Sequence, residues 1–209
     1  MFLHCDERIF DRWENAKPRR RLCCARKDYH DYSIQHCAFS EDFLDLKVFV
    51  RILVDDSYMY DVPDDYENLW KVSKEEIFEI ARKNSYKEVT ITPIEDTKDK
   101  RGEDIPLYHL TTNNRMFGAA AMTYRDKLME LCDILDGDIL IMPLSCSDVV
   151  VAPKSISGTD ENGNRLTKSM VSIFESLKKD TMEVTSKMQY MTDHIYEFLR
   201  ESGELKVCG

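Results

Sequence analysis

The chain has 209 residues, of which 43% are hydrophobic and 33% charged, with a net charge of −10. That length supports one substantial hydrophobic core, since domains commonly hold about 100–200 residues. Residues 1–37 carry 8 Lys/Arg against 6 Asp/Glu, which leaves 21 against 33 in the remainder. A body that acidic repels phosphate backbones, so nucleic acid is not an expected partner of it.

The amino terminus meets acids by Asp6 and lacks the apolar run of a secretory signal. Seven cysteines, Cys5, Cys23, Cys24, Cys37, Cys132, Cys146 and Cys208, are an odd number. Two of them sit inside apolar patterns, as reduced thiols do, and the expected location is the cytoplasm. Residues 1–37 show no sustained period and read as a peripheral segment preceding one domain over 38–209, with a division into lobes 38–104 and 105–209 as the alternative. His4, His30 and His36 beside four of the cysteines raise the question of zinc. There is no Cys-x-x-Cys, and adjacent Cys23-Cys24 do not fit a tetrahedral structural site, so no metal and no cofactor is expected. The run Arg19-Arg20-Arg21 reads as a solvated basic face.

From Phe43 to Val54 apolar residues alternate with Asp45, Lys47 and Arg51, the period of a half-buried strand. An acidic loop from Asp55 to Glu67 follows, without calcium-loop spacing. Ser73-Lys74-Glu75-Glu76 is a capping box that starts a helix with Ile77, Ile80, Ala81 and Asn84 as its stripe. Val89 to Thr92 reads as a short strand before Pro93, and Glu95 to Asp104 as a charged loop.

Three apolar runs, Phe117–Met122, Ile139–Leu144 and Val149–Ala152, are bounded by turn residues and read as neighbouring interior strands. Between them Leu128, Leu131, Cys132 and Leu135 form a helical stripe that Gly137 stops. The longest charge-free stretch here, Ile139–Ser147, is far short of the roughly 20 apolar residues that cross a bilayer. Ser155 to Lys168 is a polar connection with a turn at Asp160–Asn164, and Thr167 is expected to cap a helix carrying Met170, Val171, Phe174 and Leu177. A helical turn over Ser186–Thr192 precedes a terminal hairpin or strand pair, Ile195–Leu199 and Leu205–Val207 around Gly203, with a longer helix through Arg200 as the alternative. The fold class is α+β, a mixed or antiparallel sheet of several short strands with about three principal helices packed on it. The expected core comprises Leu46, Val48, Val50, Ile77, Ile80, Ala120, Leu128, Leu131, Ile139, Ile141, Val150 and Phe174.

Several of these segments, in order, carry a resemblance. Phe43-Leu44-Asp45-Leu46, Leu69-Trp70 with Val72-Ser73 and Glu75-Glu76, Leu110-Thr111-Thr112-Asn113, Gly118-Ala119-Ala120, Pro143 with Ser145, Asp148-Val149 with Pro153, and Asp193-His194-Ile195-Tyr196 are similar to the uncharacterised bacterial family DUF5688 over about residues 40–200. The resemblance implies a fold but no activity. Where that family typically has Ser-Ser-x-His-Glu after its proline, this chain has Leu144-Ser145-Cys146-Ser147-Asp148, and a serine at 147 cannot act as a base near neutral pH.

Two functional readings follow. In the first, a non-catalytic binding or regulatory module presents the loops at 111–115 and 143–148 to a protein or small-molecule partner, with Asn113, Asn114, Ser145, Ser147 and Asp148 as contact residues. No glycine-rich nucleotide loop, metalloprotease pattern or nucleophile elbow is present. In the second, a hydrolase-like enzyme uses Ser145 or Cys146 as nucleophile, His109 as base and Asp148 as orienting carboxylate, which requires nucleophile and base within hydrogen-bond reach. The bland reading of the same residues is a locally satisfied His109, serines that cap a turn and a small core cysteine. His194 beside Asp193 is a further pair of this kind. No sequence feature indicates an oligomeric state.

Overall fold

The structure, a computed structural model, describes residues 7–27, 39–55, 58–62, 65–98, 104–113, 117–159, 165–172, 174–175, 179 and 191–208. A 3-10 turn, Glu7–Asp11, a short helix α1 (Trp13–Ala16) and a second 3-10 turn, Lys17–Arg19, lead into strand β1 (Arg20–Arg26). The first sheet comprises β1, β2 (Ser40–Phe43), β3 (Leu46–Asp55) and β4 (Tyr58–Asp61), with β3 central and every pairing antiparallel. After α2 (Tyr66–Trp70) and α3 (Lys74–Tyr86) come β5 (Val89–Ile94), β6 (Leu107–Thr112), α4 (Arg125–Ile134), β7 (Ile139–Pro143) and β8 (Val149–Pro153). The hairpin β9 (Ser155–Thr159) and β10 (Arg165–Ser169) stands apart from the closing strands β11 (Tyr196–Leu199) and β12 (Glu204–Val207). The second sheet runs β12-β11-β7-β8-β6-β5, again wholly antiparallel, so the architecture is α+β.

Burial explains why each strand reads as it does. Leu46, Val48, Val50 and Ile52 of β3 face the main core, while Phe49 faces the opposite side with Cys23, Ala25 and Met59. Strands β7 and β8 are buried at every position, and so they are continuous apolar runs rather than alternating ones. One face of the second sheet, with Ile139, Ile141, Val149, Val151, Tyr196 and Phe198, shares the main core with the first sheet. The other face packs Leu140, Met142, Val150 and Ala152 against Met170, Phe174 and Ile195.

Helix α3 begins as the capping pattern requires, with the Glu76 amide donating to Ser73 Oγ at 3.2 Å. It runs to Tyr86, past Asn84, and buries Ile77, Phe78, Ala81 and Ser85; Ile80 lies at the margin. Ser85 closes the outer edge of β1, where the Leu22 amide donates to its Oγ at 2.8 Å. Ser85→Ala leaves that buried amide without an acceptor and is expected to cost about 1–3 kcal/mol in urea unfolding. Pro93 is accommodated because β5 is an edge strand.

Five expectations are corrected. Phe117–Met122 is not a strand: Gly118–Thr123 forms a buried 3-10 turn, with Phe117 left-handed at φ 54° before it and Thr123 Oγ1 donating to the Ala120 carbonyl at 2.7 Å. Three alanines in a row offer none of the β-branched bulk that favours extended backbone. Thr167 lies within β10, and Ser169 Oγ instead accepts the Val171 amide at the start of the helical backbone around Phe174. The polar connection after Pro153 is the β9–β10 hairpin; its turn at 160–164, Leu177, and residues 186–190 lie outside the described residues. Finally, Arg20–Arg26 is not peripheral, since β1 pairs with β3 along its full length and Leu22 through Ala25 are buried. Both of its faces are covered, which erases the period of two. Arg19-Arg20-Arg21 is not one solvated face either: Arg20 is buried and Arg21 grips Glu88 at 2.9 and 2.5 Å.

Candidate functional site

Register brings the expected site together at one end of the second sheet. His109 on β6 pairs with Val150 on β8, so Asp148, two residues before Val150, lies diagonally opposite His109 on the same face. Nε2 of His109 is 3.0 Å from Oδ1 of Asp148. The side chains are 23% and 33% exposed, yet Oδ1 itself is shielded and accepts no hydrogen bond among the described residues.

The loop that carries Asp148 is held by its own backbone. The amides of Leu144 and Ser145 donate to the Asp148 carbonyl at 2.9 and 3.3 Å, and the Asp148 amide donates to the Ser145 carbonyl at 3.3 Å. Ser145 Oγ accepts the Ser147 amide at 3.1 Å, the hydroxyl-closed turn that serine favours. Two further bonds tie the loop to its neighbours: Thr111 Oγ1 donates to the Ser147 carbonyl at 2.6 Å, and the Ala119 amide to the Cys146 carbonyl at 3.0 Å. The loop at 144–148 is therefore tied directly to the buried end of β6 at Thr111. Asn113 is exposed beside them, its amide donating to the Glu88 carbonyl at 2.8 Å; Asn114 lies outside the described residues.

The arrangement unites His109 with Asp148 but not with a nucleophile. No hydrogen bond joins His109 to Ser145 or Cys146 among the described residues. Cys146 packs on the main core with its Sγ 3.9 Å from Ser147 Oγ. Burial pushes the Cys146 thiol up, against smaller opposing contributions from Ser147 and the backbone, and a thiol so held is a poor nucleophile. Of the N-terminal zinc candidates, Cys23 and Cys24 face opposite sides of β1 and cannot share an ion, while Cys5, Cys37, His4, His30 and His36 lie outside the described residues.

A second polar cluster was not legible in the sequence. His194 Nδ1 donates to Asp45 Oδ2 at 2.9 Å, not to Asp193 beside it. Thr192 Oγ1 donates to the same oxygen at 2.6 Å and Tyr196 OH to Oδ1 at 2.5 Å. Burial raises the Asp45 carboxyl, but the bonds from Thr192, Tyr196 and His194 outweigh it and hold the group below the usual carboxylate range. Asp45 sits in the β2–β3 turn, so this cluster fastens the first sheet to the approach of β11.

Fold and site define a two-sheet α+β protein with an imidazole–carboxylate pair between β6 and the tip of the β7–β8 hairpin, and no nucleophile hydrogen-bonded to that imidazole among the described residues. The chain belongs to the family of unknown function DUF5688, which matches residues 34–200. Strand β1 precedes that span yet completes the first sheet. No curated protein and no solved structure matches the chain.

Proposed function

We propose that this protein is a non-catalytic binding or regulatory module of the bacterial cytoplasm, and that the joined loops at 111–113 and 144–148 are the face it offers to a protein or small-molecule partner. The observation that carries this reading is Asp148, whose Oδ1 is a shielded acceptor without a donor beside a partly exposed imidazole. A buried polar atom left unsatisfied marks a place where an incoming donor gains more than it would at an ordinary surface. The thiols of Cys24, Cys132, Cys146 and Cys208 are free, which suits a reducing compartment. Among the described residues no helix is long and apolar enough to cross a membrane. The acidic charge supports a partner other than nucleic acid, and no cofactor is invoked.

The test is quantitative capture from the native cell by the immobilised full-length chain. A partner retained by the wild type and by the remote surface variant Lys83→Ala, and bound about tenfold more weakly by Asp148→Ala, is the expected result. Equal capture by all three removes the loops from the interface. The short His109–Asp148 contact favours one competitor, a hydrolase using Ser145 or Cys146 with His109 and Asp148. Turnover of generic ester, peptide or phosphate substrates that disappears in both His109→Ala and Ser145→Ala, or in both His109→Ala and Cys146→Ala, would replace the binding reading.

A further inference from the structure

Arg20 is the most anomalous side chain in the molecule. It is 0% exposed, and its Nε, Nη1 and Nη2 are all shielded without a hydrogen-bond partner among the described residues. Its neighbours differ: Arg21 grips Glu88, and Nη1 of Arg19 donates to the Val54 carbonyl at 2.6 Å. Arg20 instead faces two indole rings, its guanidinium carbon 4.0 Å from the centroid of Trp13 and 4.2 Å from that of Trp70. The rings stabilise the cation through their π faces, but they accept none of its in-plane hydrogen bonds. Burial pulls the group down to about 9, with Glu76 opposing. A guanidinium enclosed without an anion is among the costliest groups an interior can hold.

We propose that Arg20 is the anchor of a small-oxyanion site, a carboxylate or phosphate site, covered in this structure by the N-terminal arm of residues 7–19. The fork of N–H donors matches two oxygens of such an anion, and no neutral acceptor would also balance the charge. Phe10 and Ala16 hold the arm in the main core, so the movable part of this wall is Trp13. Trp70 is buried, whereas Trp13 reaches solvent from the four-residue helix α1. Hydrogen bonds fasten the arm on either side of Trp13: Trp70 Nε1 donates to the Phe10 carbonyl at 3.0 Å, while Asn84 Nδ2 donates to the Lys17 carbonyl at 3.0 Å, Arg21 Nη1 to the Pro18 carbonyl at 2.9 Å and Arg19 Nη1 to the Val54 carbonyl at 2.6 Å. Displacing Trp13 gives up its π contacts with Arg20, Trp70 and Lys17 and admits an anion to donors that have none. The site is separate from the loops at 111–113 and 144–148, so its fate and theirs are independent.

Trp13 and Trp70 are the two tryptophans of the chain, so its tryptophan emission reports on this box alone. The full-length protein is titrated with sodium phosphate and, separately, with sodium acetate, ionic strength being held constant with sodium chloride. A saturable change in emission and a raised Tm with either oxyanion, absent with chloride, is expected. A response to phosphate alone assigns a phosphate-bearing ligand, and a response to acetate, alone or with phosphate, a carboxylate-accepting site. Arg20→Met should abolish the response while Arg19→Met keeps it. Arg20→Lys, which retains the charge but not the fork, should keep the far-UV circular dichroism of the wild type and bind about tenfold more weakly. No saturable response to either oxyanion, or one that persists in a folded Arg20→Met, would overturn the proposal.

Discussion

Asp45→Ala is expected to lower stability by about 3–4 kcal/mol, a large share of the roughly 5–15 kcal/mol that holds a typical domain folded. Tyr196 is fully buried and Thr192 nearly so, at 0% and 6% exposure. Removing the carboxylate leaves two hydroxyls in the interior without their acceptor, each costing about 1–3 kcal/mol. His194 adds little to this figure because its side chain is 50% exposed and the contact is screened. Equilibrium urea unfolding measures the loss. A pH signature accompanies it. The folded Asp45 carboxyl lies below the usual range, so its stabilisation is complete above the unfolded value of about 3.9 and is lost as pH falls through the folded value. Wild-type stability should therefore fall below about pH 4 more steeply than that of Asp45→Asn, which keeps an oxygen acceptor but no charge. Parallel curves for the two proteins, or a loss under 1 kcal/mol in Asp45→Ala, would show that the cluster does not fasten the sheets.

That cluster also marks where sequence reasoning stopped. Asp45 and His194 stand 149 positions apart, and nothing in the local pattern of either names the other. What was legible was whatever burial writes locally. The apolar runs at Ile139–Pro143 and Val149–Pro153 are the paired centre of the second sheet, Ser73 caps α3, and the stripe Leu128, Leu131 and Cys132 is the buried side of α4. The Gly118–Met122 run was legible as interior but not as 3-10, because burial selects apolar residues without fixing the backbone that carries them. Strand β1 was missed for the opposite reason, since two covered faces remove the alternation and the flanking arginines leave an apolar run of only four residues, Leu22–Ala25. At the candidate site β8 could be read alone, but the His109–Asp148 diagonal needs β6 beside β8, a neighbour that is not consecutive in the chain. The histidine that the resemblance leads one to expect at 147 is a serine here, and the imidazole that meets Asp148 comes from β6 instead.

Gly118→Ala is the sharpest test of how the candidate site is held. A Cβ built on Gly118 falls inside the contact shells of Thr111 Oγ1 and the Ser147 carbonyl oxygen and comes within 3.0 Å of the Thr112 amide nitrogen. Two of those three atoms are backbone and cannot turn aside as the end of a flexible side chain would. The third, Thr111 Oγ1, is the donor that ties the two loops together. An added methyl must therefore push the 144–148 loop away from β6, breaking the Thr111–Ser147 bond and the approach of Asp148 to His109. The expected cost is about 3 kcal/mol, the upper end of overpacking, read as a shift in the urea midpoint with an unchanged slope. Because Gly118 itself lies beneath the loops, loss of partner capture in a Gly118→Ala protein that is still folded would place the binding determinant in their geometry. Unchanged stability together with unchanged capture would mean that the close approach at Gly118 does not position these loops.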